Sequence, residues 1–171
     1  FDGIETAEGN YEAGFADIDM GWSGVGQFND LVNPCSFLRF VGAIANGGQG
    51  VNPYVVERVT IAGKTPYSAA VIPREPILTA DAAARLMALM RANVVNYYGD
   101  EHFAGLTVAA KSGTGEVGGG KKPNAMFTGF VMDEAYPLAF IVCVEEGGYG
   151  RPTCIPIISK VLAACKEVLD S

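Results

Sequence analysis

The chain has 171 residues, 49% of them hydrophobic and 18% charged, with a net charge of −7. That length and balance suit one folded domain with a sizeable core and exclude a disordered chain. Without a dense basic run it has no footprint for a nucleic-acid partner, and no apolar stretch reaches the ~18 residues of a transmembrane helix. Phe1 stands where an initiator Met would, and no leader pattern follows. The chain is therefore expected to be an excised piece, with any export signal or membrane anchor upstream of it.

Residues 1–30 are rich in Gly, Asp and Glu without clear periodicity, and read mostly as loop. Asn33-Pro34 supplies an N-cap and a proline at the first helical position, and Phe37, Leu38, Val41, Ile44 and Ala45 follow at helical spacing. Asn46-Gly47-Gly48 ends that helix. The β-branched run 54–61 predicts a strand ending at Gly63, and 64–78 predicts loop with short extended pieces. Thr79 caps a second predicted helix over 80–98, striped by Ala83, Leu86, Met87, Met90 and Val94.

The last third predicts strands at 106–112, 126–132 and 138–144, the last two joined by a hairpin loop at 133–136. The 138–144 run is apolar without alternation, which predicts burial on both faces. Pro156 is expected to open a terminal helix striped by Ile157, Ile158, Val161, Leu162, Cys165, Val168 and Leu169. The fold class read from this order is α+β, an antiparallel sheet of three C-terminal strands packed with helices.

Cys35, Cys143, Cys154 and Cys165 lack Cys-x-x-Cys spacing and sit in apolar contexts, so they read as free buried thiols. His102 is the lone histidine. It reads as a loop residue, and no metal site is expected.

The chemistry concentrates at 110–122. Gly113-Thr-Gly115-Glu-Val-Gly118 satisfies the dinucleotide fingerprint G-x-G-x-x-G, but two further glycines and Pro123 follow where a helix must start. Gly115 to Lys121 approaches a phosphate loop, yet Lys122 replaces the hydroxyl that would hold magnesium. A Gly-rich hairpin loop accounts for 117–123 better. Ala110-Lys111-Ser112-Gly113-Thr114-Gly115 ends an apolar strand instead. Alternation puts Lys111 and Gly113 on one side and Ser112 and Thr114 on the other. An ammonium there favours an alkoxide and attracts a carboxylate. Gly113 lets a substrate backbone lie close, the hydroxyls can bind a carboxylate, and an edge N–H can serve an oxyanion hole.

From Gly21 onward, four ordered stations resemble the penicillin-binding protein D,D-transpeptidases, members of the penicillin-recognising serine acyltransferases. They are Gly24-Val25-Gly26-Gln27 through Val32-Asn33-Pro34 to Ala43-Ile44-Ala45-Asn46-Gly47-Gly48 and Pro53; Ala110-Lys111-Ser112-Gly113-Thr114-Gly115; Asn124-Ala125-Met126-Phe127-Thr128-Gly129-Phe130; and Val144-Glu145-Glu146-Gly147-Gly148 with Pro156. Ala110, Gly115, Cys35 and Met126 depart from the usual pattern. Ser-x-x-Lys and Ser-x-Asn, which carry the family's nucleophile and base, occur nowhere in the chain.

The resemblance implies that residues 1–171 are the C-terminal portion of such a domain, a partial β-lactamase/transpeptidase-like fold supplying one wall of the active site. Lys111 and the Thr114 N–H would serve catalysis, the N–H in the oxyanion hole. Ser112, Gly113 and Thr114 would bind substrate. No cofactor is implied. The implied partners of the complete domain are a peptidoglycan stem peptide and β-lactams. It would work on the extracytoplasmic face of the bacterial membrane, held by an upstream anchor. The piece by itself is expected to be inactive and to self-associate. Two other readings stand beside this one: a β-lactam sensor or β-lactamase, and a non-catalytic binding domain that kept the wall.

Overall fold

The fold comes from a computed structural model, which describes residues 6–12, 14–27 and 29–171. It is built on an antiparallel sheet of β5 (Val108–Gly115), β6 (Asn124–Val131) and β7 (Ala139–Val144), in that order. The β5–β6 ladder runs unbroken from Val108↔Val131 to Gly115↔Asn124. Alternation sends Val108 and Ala110 to one face, where Phe127, Phe140 and Val142 meet Cys154, Ile155, Ile158 and Leu162 of α4 (Gly150–Leu169). Ala109 and Phe130 face the other way, onto α2 (Pro34–Ala45) and α3 (Ala80–Asn93) through Val41, Ile44 and Met90. The molecule is thus α+β, a sheet sandwiched between helices.

Local chemistry starts both inner helices. The Asn33 side chain accepts from the N–H groups of Cys35 and Ser36 at 2.9 and 3.1 Å, with Pro34 at the first position. Thr79 caps α3 through the Ala82 N–H at 3.2 Å. Beyond Asn93 the chain widens into a π-turn, Val94–Tyr98, and then a 3-10 turn, Asp100–His102. The helix expected over 80–98 therefore keeps its length but not its pitch. The wider turn buries both Val94 and Tyr98 against the sheet.

Several expectations are corrected. Within the loop expected at 1–30, Asp17–Gly24 forms a short helix, α1. It buries no residue, so it leaves no apolar stripe to read, and Asp17 and Asp19 in its first turn favour the dipole. Residues 1–5, 13 and 28 of that stretch lie outside the described residues. Only Arg58–Ile61 of the 54–61 run is a strand, β2, paired with β3 (Lys64–Ser68) across Ala62-Gly63. Both turn residues have positive φ, and β2 is exposed throughout, so its β-branched composition marks a surface ribbon. A second ribbon pairs β1 (Gln49–Asn52) with β4 (Ile72–Pro76).

The 139–144 strand is not buried on both faces. Phe140 is buried, while Ala139 and Cys143 are exposed. The terminal helix starts at Gly150, six residues before Pro156, which sits inside it. Burial of Cys154 and Ile155, and a Thr153 hydroxyl donating to the Gly147 carbonyl at 2.7 Å, hold the turn that precedes the proline. Of the cysteines only Cys154 is fully buried; Cys143 is exposed and the other two are half-buried. His102 lies in the 3-10 turn beside Glu101 rather than in a loop.

Candidate active site

β5 is an edge strand, so every second residue turns its N–H and C=O away from β6. Those residues are Val108, Ala110, Ser112 and Thr114, and they meet side chains instead of a strand. The Arg91 guanidinium donates to the Val108 carbonyl at 3.0 Å and Asn93 to the Ala110 carbonyl at 3.4 Å. The Ser112 N–H donates to the Tyr98 hydroxyl at 2.9 Å. The Gln27 carboxamide donates to the Thr114 carbonyl at 2.8 Å and accepts the Glu116 N–H at 3.3 Å.

Between Tyr98 and Gln27 the edge is open among the described residues. Two main-chain groups face it, the Ser112 carbonyl and the Thr114 N–H. Lys111 is exposed and starts on the α2/α3 face. Its Nζ folds back to donate to the Ser112 carbonyl at 2.6 Å, which brings the ammonium to the same opening. A cation and an aimed N–H a residue apart form a site for a developing negative charge.

Ser112 and Thr114 lie on the opposite face, as alternation requires. Tyr98 donates to Ser112 Oγ at 3.0 Å, and the Gly150 N–H, first in α4, donates to Thr114 Oγ1 at 3.3 Å. Each hydroxyl oxygen thus accepts from the scaffold and keeps its own proton to give to a ligand. Gly113 lies between them, and a Cβ there would stand 3.3 Å from the Met126 Cβ, so the absence of a side chain keeps this stretch of strand close to its neighbour.

The scaffold behind the site is tied by charge. Arg91 grips Asp100 through both nitrogens, Nη2 to Oδ2 at 2.7 Å. That hydrogen bond holds the Asp100 carboxyl below its ordinary value and the guanidinium above its own. Arg91 so links the turn after α3 to the start of β5.

Sequence reasoning singled out all four residues Lys111–Thr114, and the structure gathers them at one strand edge. It did not find Tyr98, Asn93 or Arg91, and it met Gln27 only as part of a motif. A side chain that caps a strand edge has no periodicity, and nothing in the sequence pairs residue 27 with residue 114. A cleft of about 590 Å³ lies elsewhere, lined by Arg39, Asn52, Tyr54 and Arg74 among others, and includes none of these groups. The site is an open edge rather than a closed pocket. Among the described residues no group of His, Cys, Asp and Glu could hold a metal.

An α+β body that ends in a Lys-Ser-Gly-Thr strand edge defines a class. Residues 2–163 match the penicillin binding protein transpeptidase domain, and the chain belongs to that family. It is 29% identical over 138 residues to the peptidoglycan D,D-transpeptidase PbpA of Mycolicibacterium smegmatis, which covers 75% of this chain and 27% of that protein. Its fold matches penicillin-binding protein A of Mycobacterium tuberculosis with a TM-score of 0.87 at 23% identity, over 96% of this chain and 41% of that one. It also matches the D,D-transpeptidase domain of a peptidoglycan glycosyltransferase from Eggerthella lenta, with a TM-score of 0.63 at 26% identity, over 78% of this chain and 31% of that one. The chain thus spans about a quarter of the length of its curated relative. These neighbours share the fold of this chain.

Proposed function

We propose that this chain supplies the Lys-Ser-Gly-Thr wall of a peptidoglycan D,D-transpeptidase site, as the C-terminal portion of the domain. The observation that carries the reading is the opening between Tyr98 and Gln27, where Lys111 Nζ and the Thr114 N–H share an unpaired edge. The serine nucleophile and its base come from residues outside these 171, since Ser-x-x-Lys is absent from them.

In the complete site that serine attacks the carbonyl of a D-Ala-D-Ala stem peptide lying along β5. The Thr114 N–H donates to the carbonyl oxygen as it becomes an oxyanion. Lys111 keeps the local potential positive, which favours the attacking alkoxide. The free protons of the Ser112 and Thr114 hydroxyls bind the terminal carboxylate. D-Ala leaves, and an amine of a neighbouring strand takes the acyl group. A β-lactam acylates the same serine and stalls there. Penicillin-binding protein A of M. tuberculosis forms acyl-enzyme complexes with ceftriaxone, imipenem and penicillin G, which supports this reading. Penicillin-binding protein 2 of Helicobacter pylori, a fold neighbour, forms a complex with MreC, which supports a protein partner for the whole enzyme as well. Its place is the extracytoplasmic face of the cell membrane.

Intact-mass analysis after incubation with benzylpenicillin tests the proposal, on this chain and on the full-length protein that contains it. The full-length protein is expected to gain one covalent adduct and the 171-residue chain none, because covalent catalysis needs the missing serine. Lys111→Ala in the full-length protein is expected to slow acylation by about ten- to a hundredfold, the range for losing a charged interaction of ~1.5–3 kcal/mol. A stoichiometric adduct on the 171-residue chain would show that the site is complete within it. No adduct on the full-length protein would refute the transpeptidase reading.

A further inference from the structure

The tie between Gln27 and the far end of β5 crosses 87 residues of sequence and meets main chain rather than a side chain. Its geometry is specific. A side-chain amide has the same donor and acceptor as a peptide unit. Gln27 gives its Nε2–H to the carbonyl of Thr114 and takes, on its Oε1, the N–H of Glu116. Bridging the carbonyl of one residue and the N–H of the second one along is what a paired neighbouring strand does. One side chain thus stands in for a strand at the place where β5 leaves its ladder.

That place needs support. The last β5–β6 pair is Gly115↔Asn124, and beyond it the chain enters a loop in which Gly118, Gly119 and Gly120 all have positive φ. On the other edge no strand is present among the described residues, so without Gln27 the peptides of 114–116 would be held from one side only. Gln27 is itself anchored. Its N–H donates to the Trp22 carbonyl at 3.0 Å, and the preceding turn, with Gly26 at φ +75°, is closed by Gly26 N–H to Ser23 O at 2.9 Å. The Ser23 hydroxyl donates to Asp30 at 2.6 Å and ties down the far side of the loop. Both partners of the clamp are therefore fixed before any ligand arrives.

We propose that Gln27 is a positioning residue for acyl transfer: by clamping the Thr114 carbonyl and the Glu116 N–H it keeps the Thr114 N–H aimed at the oxyanion. This rests on the transpeptidase reading above. The Thr114 N–H sits one peptide before the clamped carbonyl, on the same edge. A freely twisting Thr114–Glu116 segment would swing that N–H off the line on which charge develops. Donors in such a hole act because they are preorganised, so aim matters more in the transition state than in first binding. The effect of losing Gln27 should fall on the acylation step.

The test uses the full-length protein, benzylpenicillin as probe, and separate measurement of initial affinity and the acylation rate constant by rapid-quench mass spectrometry. Gln27→Ala is expected to slow acylation about tenfold with initial affinity kept within about twofold. Gln27→Glu keeps an acceptor for the Glu116 N–H but sets a carboxylate oxygen against the Thr114 carbonyl, and should be at least as slow. Hydrogen exchange supplies a readout independent of activity. In Gln27→Ala the Glu116 amide should lose protection about tenfold, while amides of β6 keep theirs. A wild-type protein that acylates, with both variants matching its rate within twofold, would overturn the inference and leave the transpeptidase reading intact. Slowing accompanied by loss of protection throughout the sheet would also overturn it, since Gln27 would then be holding the fold. A wild-type protein that is never acylated would remove the reading itself, and the inference with it.

Discussion

Gly150 decides how near α4 comes to the sheet. A Cβ built there would stand 2.3 Å from the Gly113 carbonyl oxygen and 2.4 Å from that of Met126. Both obstacles are backbone in a continuous ladder, so neither can give way cheaply. The same close approach lets the Gly150 N–H reach Thr114 Oγ1 at 3.3 Å. A residue remote in sequence from the Lys-Ser-Gly-Thr motif thus sets the orientation of one of its hydroxyls. Gly150→Ala is expected to destabilise the protein by about 2–3 kcal/mol, the upper range for overpacking, because the first turn of α4 must lift off. Denaturant titration of the full-length protein checks this. A loss below ~0.5 kcal/mol would mean that the helix start is freer than the contact distances require. The buried thiol of Cys154, four residues on, packs as a small hydrophobe. Burial raises its proton affinity, so little of it is the reactive thiolate at neutral pH.

At the scale of elements, the turn after α3 is pinned to β5 by Arg91, and the pin is pH-sensitive. The Arg91 hydrogen bond depresses the Asp100 pKa below its usual 3.8. A depressed carboxyl binds fewer protons folded than unfolded. Its contribution is therefore complete above the unfolded value and lost as pH falls through the folded one. The pair is partly exposed, with the Asp100 side chain 49% accessible, so its worth is no more than about 0.5–1 kcal/mol. Asp100→Asn should lower the melting temperature at pH 7 by a few degrees at most, with the difference shrinking as the pH falls below the ordinary carboxyl value of 3.8. Melting curves of both proteins across that range are the check. A difference that does not shrink at all as the pH is taken below the ordinary carboxyl range would assign the effect to packing rather than charge.

Elements that announce themselves by caps and stripes were legible in the sequence. α2 begins at Asn33-Pro34 and α3 at Thr79 as expected, and β5, β6 and β7 fall within two residues of their expected starts. Elements that bury little were not, since α1 has no buried face and β2 to β4 lie almost wholly at the surface. α4 starts six residues before the expected Pro156: Pro152 fits its first turn, and burial of Cys154 and Ile155 holds the helix ahead of Pro156. The same division runs through the site. Lys111, Ser112, Gly113 and Thr114 form a contiguous motif that can be read directly. Gln27 and Tyr98 touch it only through the fold, and main-chain hydrogen bonding by a distant side chain leaves no trace in spacing.

The whole molecule treats the two edges of its sheet differently. Along β5, Arg91, Asn93, Tyr98 and Gln27 occupy the outward main-chain groups, which blocks pairing with another chain except at the Ser112–Thr114 opening. Along β7 no strand pairs with the outer edge among the described residues, and Ala139 and Cys143 stand exposed on it. Outside the sheet, α4 carries Ile157, Val161 and Val168 on its exposed side, spaced four and seven residues apart in a helical stripe. An uncovered strand edge is a template for pairing, and apolar surface of this kind favours association. Such features ask for covering chain, whether from the remainder of the full-length protein or from a second copy. The 171-residue chain by itself is therefore expected to self-associate through β7, or to unfold broadly at low temperature where dilution keeps it single. Light scattering across a concentration series, under reducing conditions so that exposed Cys143 forms no intermolecular disulfide, measures the first outcome, and a melting curve at the lowest concentration the second. The full-length protein should show neither behaviour, because its own residues would cover both surfaces. A 171-residue monomer with a sharp, high melting transition would mean that β7 needs no neighbour, and that the division of the site between this chain and a missing part is wrong at the level of the fold.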